Sequence, residues 1–238
     1  MDQFVVLTGA GSGIGRAIAL ALASPGKTLW LVGRARDKLE AVAESARRTG
    51  ANIRCIPVDL ARDEDVASLV ERLQKDDGRV DLLVHCAGEI MLGPLESAAI
   101  GDLDRQYRIN VRAPFLLTQA LLPMLRASRG QIVFVNSTAG EVAGPNQSQY
   151  AATKHALRAI ADSLRMEVNA AGIRVLSVFP GRTASAMQAA VHALEGKDYH
   201  PEYLMQPEDV AALVLSALNL PRTAEVTDIY VRPFRKSQ

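Results

Sequence analysis

Short β-branched or aliphatic runs alternate with longer helix-patterned segments along the whole chain, and that alternation restricts the fold more than any other feature. Phe4–Thr8, Thr28–Val32, Asn52–Val58, Leu82–His85, Gln131–Asn136, Arg174–Phe179 and Ile229–Val231 read as strands. Between them, Gly13–Ala23, Arg36–Thr49, Glu64–Lys75, Asp102–Arg126, Gln149–Ala170 and Pro207–Leu218 carry helical patterns. Several strands are apolar on both faces, as when helices cover both sides of a parallel sheet. The expectation is an α/β, doubly wound parallel sheet of Rossmann type, in a single domain over residues 1–238. Eight equal β–α units are not present, which argues against a closed barrel.

Composition removes several function classes. The formal net charge is +1, with no basic stripe, which argues against a nucleic-acid partner. Cys55 and Cys86 each lie in an apolar run, so both are expected to be small buried hydrophobes in a reducing compartment. The four histidines, His85, His155, His192 and His200, lack metal-ligand spacing. No apolar stretch approaches the roughly 20 residues that span a bilayer, and no signal segment opens the chain. A cytoplasmic protein without membrane contact is the expectation.

The first strand ends in Thr8-Gly9-Ala10-Gly11-Ser12-Gly13-Ile14-Gly15, and a helix follows at once. Glycines let the backbone turn sharply and let a pyrophosphate approach without meeting a Cβ. The helix behind them offers unpaired N–H groups and the positive end of its dipole. A glycine cluster alone is also an ordinary tight turn; its place between first strand and helix favours dinucleotide binding. No Gly-Lys-Ser/Thr follows, so this is not a P-loop.

Tyr150 and Lys154 are four residues apart on a helix and share a face. A nearby ammonium favours phenolate and would lower the tyrosine pKa from about 10, suiting it to general acid–base work. Alone, such a pair means little. Ser137, however, ends the fifth strand at the sheet edge where doubly wound folds bind ligands, and could donate to a substrate oxygen. Taken singly, Ser137 also reads as a turn serine, and Asn110 as a packing choice within its helix.

Together these residues resemble the short-chain dehydrogenase/reductase family over essentially the whole chain. The matching motifs are Thr8-Gly-x-x-x-Gly-x-Gly15, Asp59, Ala87-Gly88, Asn110, Ser137, Tyr150-x-x-x-Lys154 and Pro180-Gly181. The resemblance implies hydride transfer between a nicotinamide dinucleotide and a carbonyl or alcohol substrate. It implies Tyr150 as general acid/base and Ser137 as the residue that polarises the carbonyl. Lys154 would bind the nicotinamide ribose, and Asn110 would hold a water in a proton relay. Gly9, Ser12, Gly13, Ile14 and Gly15 would cradle phosphates, Asp59 and Leu60 would border the adenine, and Ala87 and Gly88 would touch the cofactor. Pro180, Gly181 and Thr183 would meet the nicotinamide end.

Three departures stand out. His85-Cys86 replaces the family's usual Asn-Asn, so side-chain bonds in the central sheet should differ. Residues 183–206 are short and irregular, which suggests an open, mobile substrate-facing loop. The end, Tyr230–Gln238, lacks the Gly-rich terminal segment often seen.

At the second strand's end Gly33 replaces the carboxylate that would accept from a ribose 2′-OH, and Arg34 follows. A guanidinium suits a 2′-phosphate, so NADP(H) is expected, with NAD(H) possible. Arg34 could instead cap the strand or stack on adenine. A homodimer or homotetramer through Asp102–Arg126 and Gln149–Ala170 follows from the resemblance. The alternative reading is a non-catalytic redox sensor or scaffold with the same fold.

Overall fold

In the computed structural model, which describes residues 3–234, seven strands form one parallel sheet. They are β1 (Gln3–Thr8), β2 (Lys27–Gly33), β3 (Asn52–Pro57), β4 (Leu82–His85), β5 (Gln131–Val135), β6 (Arg174–Pro180) and β7 (Asp228–Val231). Their order is β3-β2-β1-β4-β5-β6-β7, every pair parallel. Eight helices accompany them: α1 (Gly13–Leu22), α2 (Arg36–Arg47), α3 (Asp63–Asp76), α4 (Ile100–Tyr107), α5 (Ala113–Ser128), α6 (Ser148–Val168), α7 (Ala186–Leu194) and α8 (Pro207–Leu218). The order reverses between β1 and β4, which places the crevice of a Rossmann-like fold beside the glycine turn. The end of the chain from residue 235 lies outside the described residues.

The period of two explains why the strands look apolar throughout. Val5 and Leu7 of β1 enter a core shared with α1, α2 and α8, whereas Val6 enters the opposite core under α3, α5 and α6. In β5, Val133 and Val135 join the first core, Ile132 and Phe134 the second. With both faces buried, only the edges and ends of the sheet are left for chemistry.

Two elements differ from the sequence expectation. The helical run expected over Asp102–Arg126 extends from 100 to 128, and a π-helical stretch, Arg108–Arg112, interrupts it around Asn110. Pro114 has no N–H to give the Asn110 carbonyl four residues earlier, so the ladder must slip there. Residues 183–206 are not an irregular loop: they hold α7 and a 3₁₀ turn, Pro201–Tyr203. Ser185 caps α7 by accepting from Gln188 N–H at 3.1 Å, and Gly196, at φ +66°, stops it.

His85 shows what replaces the expected asparagine bonds. It sits in β4 between Thr8 of β1 and Phe134 of β5. The ring stacks on Phe134 at 4.9 Å, and Nε2 lies 2.8 Å from the Thr118 hydroxyl on α5. Burial takes its pKa down to about 3, so the ring is neutral and ties sheet to helix by one hydrogen bond. Thr118→Val keeps the shape but leaves Nε2 without a partner. The expected cost is about 1–3 kcal/mol, read from urea unfolding.

Candidate active site

Helix α1 is seated directly on the end of β1, and two glycines make that possible. A Cβ on Gly15 would run into the carbonyl oxygen of Gly9. Gly9 itself takes φ +70°, and a Cβ there would lie 2.7 Å from the Ala87 nitrogen. The Thr8 hydroxyl secures the turn from the side. It accepts from Cys86 N–H at 3.1 Å and Ala87 N–H at 3.2 Å, and donates to the Val84 carbonyl at 3.3 Å. The N-cap residue Ser12 makes no side-chain capping bond, and no acidic residue occupies the first turn of α1. Free N–H groups and the helix dipole therefore face outward with room for an anion.

From this turn a cavity of about 440 Å³ runs along the carboxyl edge of the sheet. Every expected site residue lines it except Asn110. At one end are Asp59, Leu60 and Arg34, joined by Lys38 on α2, which the sequence reading did not single out. Its spacing four residues after Arg34 was the available signal. Arg34 is mostly exposed and forms an ion pair with Glu89 at 3.9 Å. Two unlike backbones thus present a pair of cations where a carboxylate would otherwise stand.

At the other end are Ser137, Tyr150 and Lys154. Ser137 ends the extended segment after β5, accepts from Ala139 N–H at 3.1 Å, and lines the same cavity as the Tyr150 phenol. Burial raises the Tyr150 pKa, and the Ser137 hydroxyl pulls it only partly back. This corrects the expectation of a tyrosine depressed by Lys154. The ammonium lies 5.8 Å from the tyrosine ring centroid and donates to the Val135 carbonyl at 3.2 Å. The phenol is therefore protonated at neutral pH. Lys154 carries the opposite strain: it is 4% exposed, and burial lowers its pKa from 10.5 to about 8.

Asn110 stands behind this wall. Its amide oxygen accepts from Glu89 N–H at 2.9 Å, and its nitrogen donates to the Glu89 carbonyl at 2.9 Å and the Thr153 hydroxyl at 3.0 Å. Both amide protons are committed, so the side chain positions the β4 loop against α6. Asn136, missed by the sequence reading, does similar work by donating to the Lys154 carbonyl at 3.1 Å and accepting from Ser137 N–H at 2.9 Å. Gly88 lies close to both groups; a Cβ there would be 3.4 Å from the Asn110 amide oxygen and 3.8 Å from the Lys154 ammonium.

Helix α7 roofs the cavity. Its cap Ser185 comes within 3.5 Å of where a Gly13 Cβ would sit, so the roof begins over the phosphate turn. The Tyr199 hydroxyl accepts from Ser185 N–H at 3.0 Å and donates to its carbonyl at 3.3 Å. The Thr183 hydroxyl, expected to meet the cofactor, donates instead to the Gly181 carbonyl at 3.1 Å, and Ser185 holds the position nearer the turn. Cys86 is half-buried rather than buried and lines the cavity, its thiol pushed up to about 12. Among the described residues no cluster of His, Cys, Asp or Glu could hold a metal ion, and no helix is long and apolar enough to cross a membrane.

A family model described as short chain dehydrogenase matches residues 3–196. The chain belongs to the short-chain dehydrogenase family. An uncharacterized oxidoreductase of Staphylococcus aureus (strain MRSA252) is 31% identical over 233 residues, 98% of this chain and 97% of that protein. A short-chain dehydrogenase from Sphingobium yanoikuyae, solved in complex with NADPH, is 28% identical, with a TM-score of 0.83 over 95% of this chain and 87% of that one. An alcohol dehydrogenase from the archaeon Thermococcus sibiricus, complexed with 5-hydroxy-NADP, shares the fold at TM-score 0.90 and 24% identity over 100% and 99% of the two chains. The chain is thus a short-chain dehydrogenase-type oxidoreductase with a Rossmann-like sheet.

The depressed Lys154 has a measurable consequence. Its folded state holds the proton less tightly than the unfolded chain, which binds more protons between about pH 8 and 10.5. Stability should rise with pH across that window, and the whole cost is present below it. Lys154→Met is expected to stabilise the protein at pH 7 by roughly 1–3 kcal/mol and to flatten that rise, in urea titrations run against pH.

Proposed function

We propose that this short-chain dehydrogenase is an NADP-dependent oxidoreductase acting on a carbonyl or alcohol, with Tyr150 as its general acid/base. The observation that carries this is that the Ser137 and Tyr150 hydroxyls line the wall of one cavity that continues to the glycine turn. The residues fit a dinucleotide: Gly9 and Gly15 let α1 seat closely on the end of β1, and α1 directs free N–H groups into the cavity. The dinucleotide supplies or takes the hydride. A substrate carbonyl oxygen fits between the two hydroxyls, where Ser137 donates to it and polarises the carbon. As the carbon gains hydride, its oxygen takes the phenolic proton, and the product is an alcohol. A tyrosine kept neutral by burial is suited to that donation. Lys154 holds a ribose hydroxyl and steadies the phenolate left behind. Asn110 contributes its backbone carbonyl, freed by Pro114, to proton resupply.

Arg34 and Lys38 are assigned to the 2′-phosphate, the guanidinium by its fork and the ammonium as a point charge. The NADP and NADPH bound by several solved neighbours support this assignment. We assign the enzyme to the cytoplasm, as a homodimer or homotetramer joined through the outer sides of α4–α6, where Tyr107, Phe115 and Met166 are exposed.

Tyr150→Phe should lower turnover on the order of 10³-fold. NADPH binding, followed by nicotinamide fluorescence, should stay nearly unchanged; full activity in this variant rejects the mechanism. Replacing Arg34 and Lys38 together by Ala should cut kcat/KM with NADPH by about 10- to 100-fold and leave NADH nearly untouched. A wild-type preference for NADH would overturn the cofactor assignment.

A further inference from the structure

Arg182 directly follows Pro180-Gly181 at the end of β6 and lines the cavity, its side chain 29% exposed. One amino group, Nη2, donates to both Glu195 oxygens, at 2.6 and 2.8 Å. The other, Nη1, is sealed from solvent and has no hydrogen-bond partner among the described residues. A charged donor without an acceptor is costly to bury, so its retention needs a reason.

Local charge points the same way. Glu195 is shared with Lys197, whose ammonium is 3.6 Å from its second oxygen. Two cations therefore meet one carboxylate, and the cluster keeps a surplus positive charge beside the cavity. The Glu195 carboxyl is held below the usual carboxylate range, with burial opposing and the bond from Arg182 and the charges of Arg182, Lys197 and His192 outweighing it.

Position in the sheet decides which end of the cavity this charge serves. Arg182 leaves β6, the neighbour of β5, whose end carries Ser137. The phosphate turn leaves β1, three strand spacings away, or about 14 Å. The strand it leaves therefore sets Arg182 beside the Ser137 end of the cavity, while Ser185, three residues on, reaches the phosphate turn. Around the Ser137 and Tyr150 hydroxyls Ile90 and Leu92 pack against Tyr150 and Ala139, Met187 and Val191 of α7 line the roof, and the polar Thr138 and Gln147 line the same cavity.

We propose that Arg182 binds an oxyanion of the substrate, so that the preferred substrates are carbonyl compounds carrying a carboxylate. Glu195 holds Nη2 of the guanidinium in place, and the substrate carboxylate pairs with the exposed part of the guanidinium that lines the cavity. The carbonyl lies at Ser137 and Tyr150, with the connecting carbons against Ile90, Leu92 and Met187. This assignment rests on the proposed carbonyl chemistry and narrows it to oxo acids or their hydroxy acid counterparts.

The test uses matched pairs, each an aliphatic 2-, 3- or 4-oxo carboxylate with its methyl ester, assayed with NADPH. The wild type should favour the carboxylate in kcat/KM. Arg182→Met should erase that preference by raising KM for the carboxylate about 10- to 100-fold, with kcat and the ester kinetics little changed. Glu195→Gln, which loosens the same ion pair but keeps the guanidinium, should retain the preference. Four outcomes overturn the proposal: no carboxylate preference in the wild type, a preference that survives Arg182→Met, equal loss on acid and ester, or a defect confined to NADPH affinity. Equal loss would mean that the ion pair only fastens the roof, and a defect confined to NADPH that the oxyanion is a dinucleotide phosphate. Should neither member of any pair be reduced, calorimetric titration of the NADP-loaded protein with levulinate separates the two readings. Heat that depends on Arg182 upholds the oxyanion site while rejecting the carbonyl chemistry; its absence rejects the site.

Discussion

Burying both faces of a parallel sheet is the constraint on which the rest of this protein depends. Val5 and Leu7 face one core while Val6 faces the other, and β5 divides its side chains in the same way. On the central strands β1, β4 and β5 both faces are buried, so chemistry is confined to the carboxyl edge, where the chain turns from strand to helix. The cavity follows that edge from the turn after β1 to the segment after β6. The helices that bury the sheet also aim their termini and side chains into it. Packing and function are therefore two results of one arrangement.

The end of the cavity that holds Ser137, Tyr150 and Lys154 is assembled at a cost in stability. Lys154 is almost fully buried as a cation, its ammonium donating to the Val135 carbonyl at 3.2 Å. Tyr150 is buried as well, and Ser137 is held extended at the strand's end. None of these groups would be chosen for a well-packed core. What holds them is a second layer of amides: Asn136 anchors the α6 backbone at Lys154, and Asn110 anchors the β4 loop to α6. That layer contributes geometry rather than reactivity, which is why Asn110 stands outside the cavity wall.

Much of the fold was legible because periodicity is local. Leu82–His85 and Pro207–Leu218 were read to their observed ends, and the other strands to within a residue or so. Helix α7 was missed because its nine residues, Ala-rich and apolar on most sides, carry no clear polar face; Ser185 and Gly196 were the available start and stop signals. The slip at Asn110 was likewise encoded, in Pro114, but a proline near a helix start usually marks only a first turn. His85 could be recognised as a departure, yet its partner Thr118 lies 33 residues away in another element.

By itself the chain determined the parallel sheet, the glycine turn, and the list of residues that gather at the cavity, since each depends on spacing within a few positions. The tertiary structure decided how those residues are used. Burial holds the Tyr150 phenol protonated, since desolvation raises its pKa while the Lys154 ammonium donates to the Val135 carbonyl. Long-range packing spent the Asn110 amide on Glu89 and Thr153, brought Ser185 over Gly13, and set Arg182 against Glu195 beneath the roof. Desolvation and hydrogen-bond partners are properties of the surroundings, and those surroundings exist only once distant segments have packed.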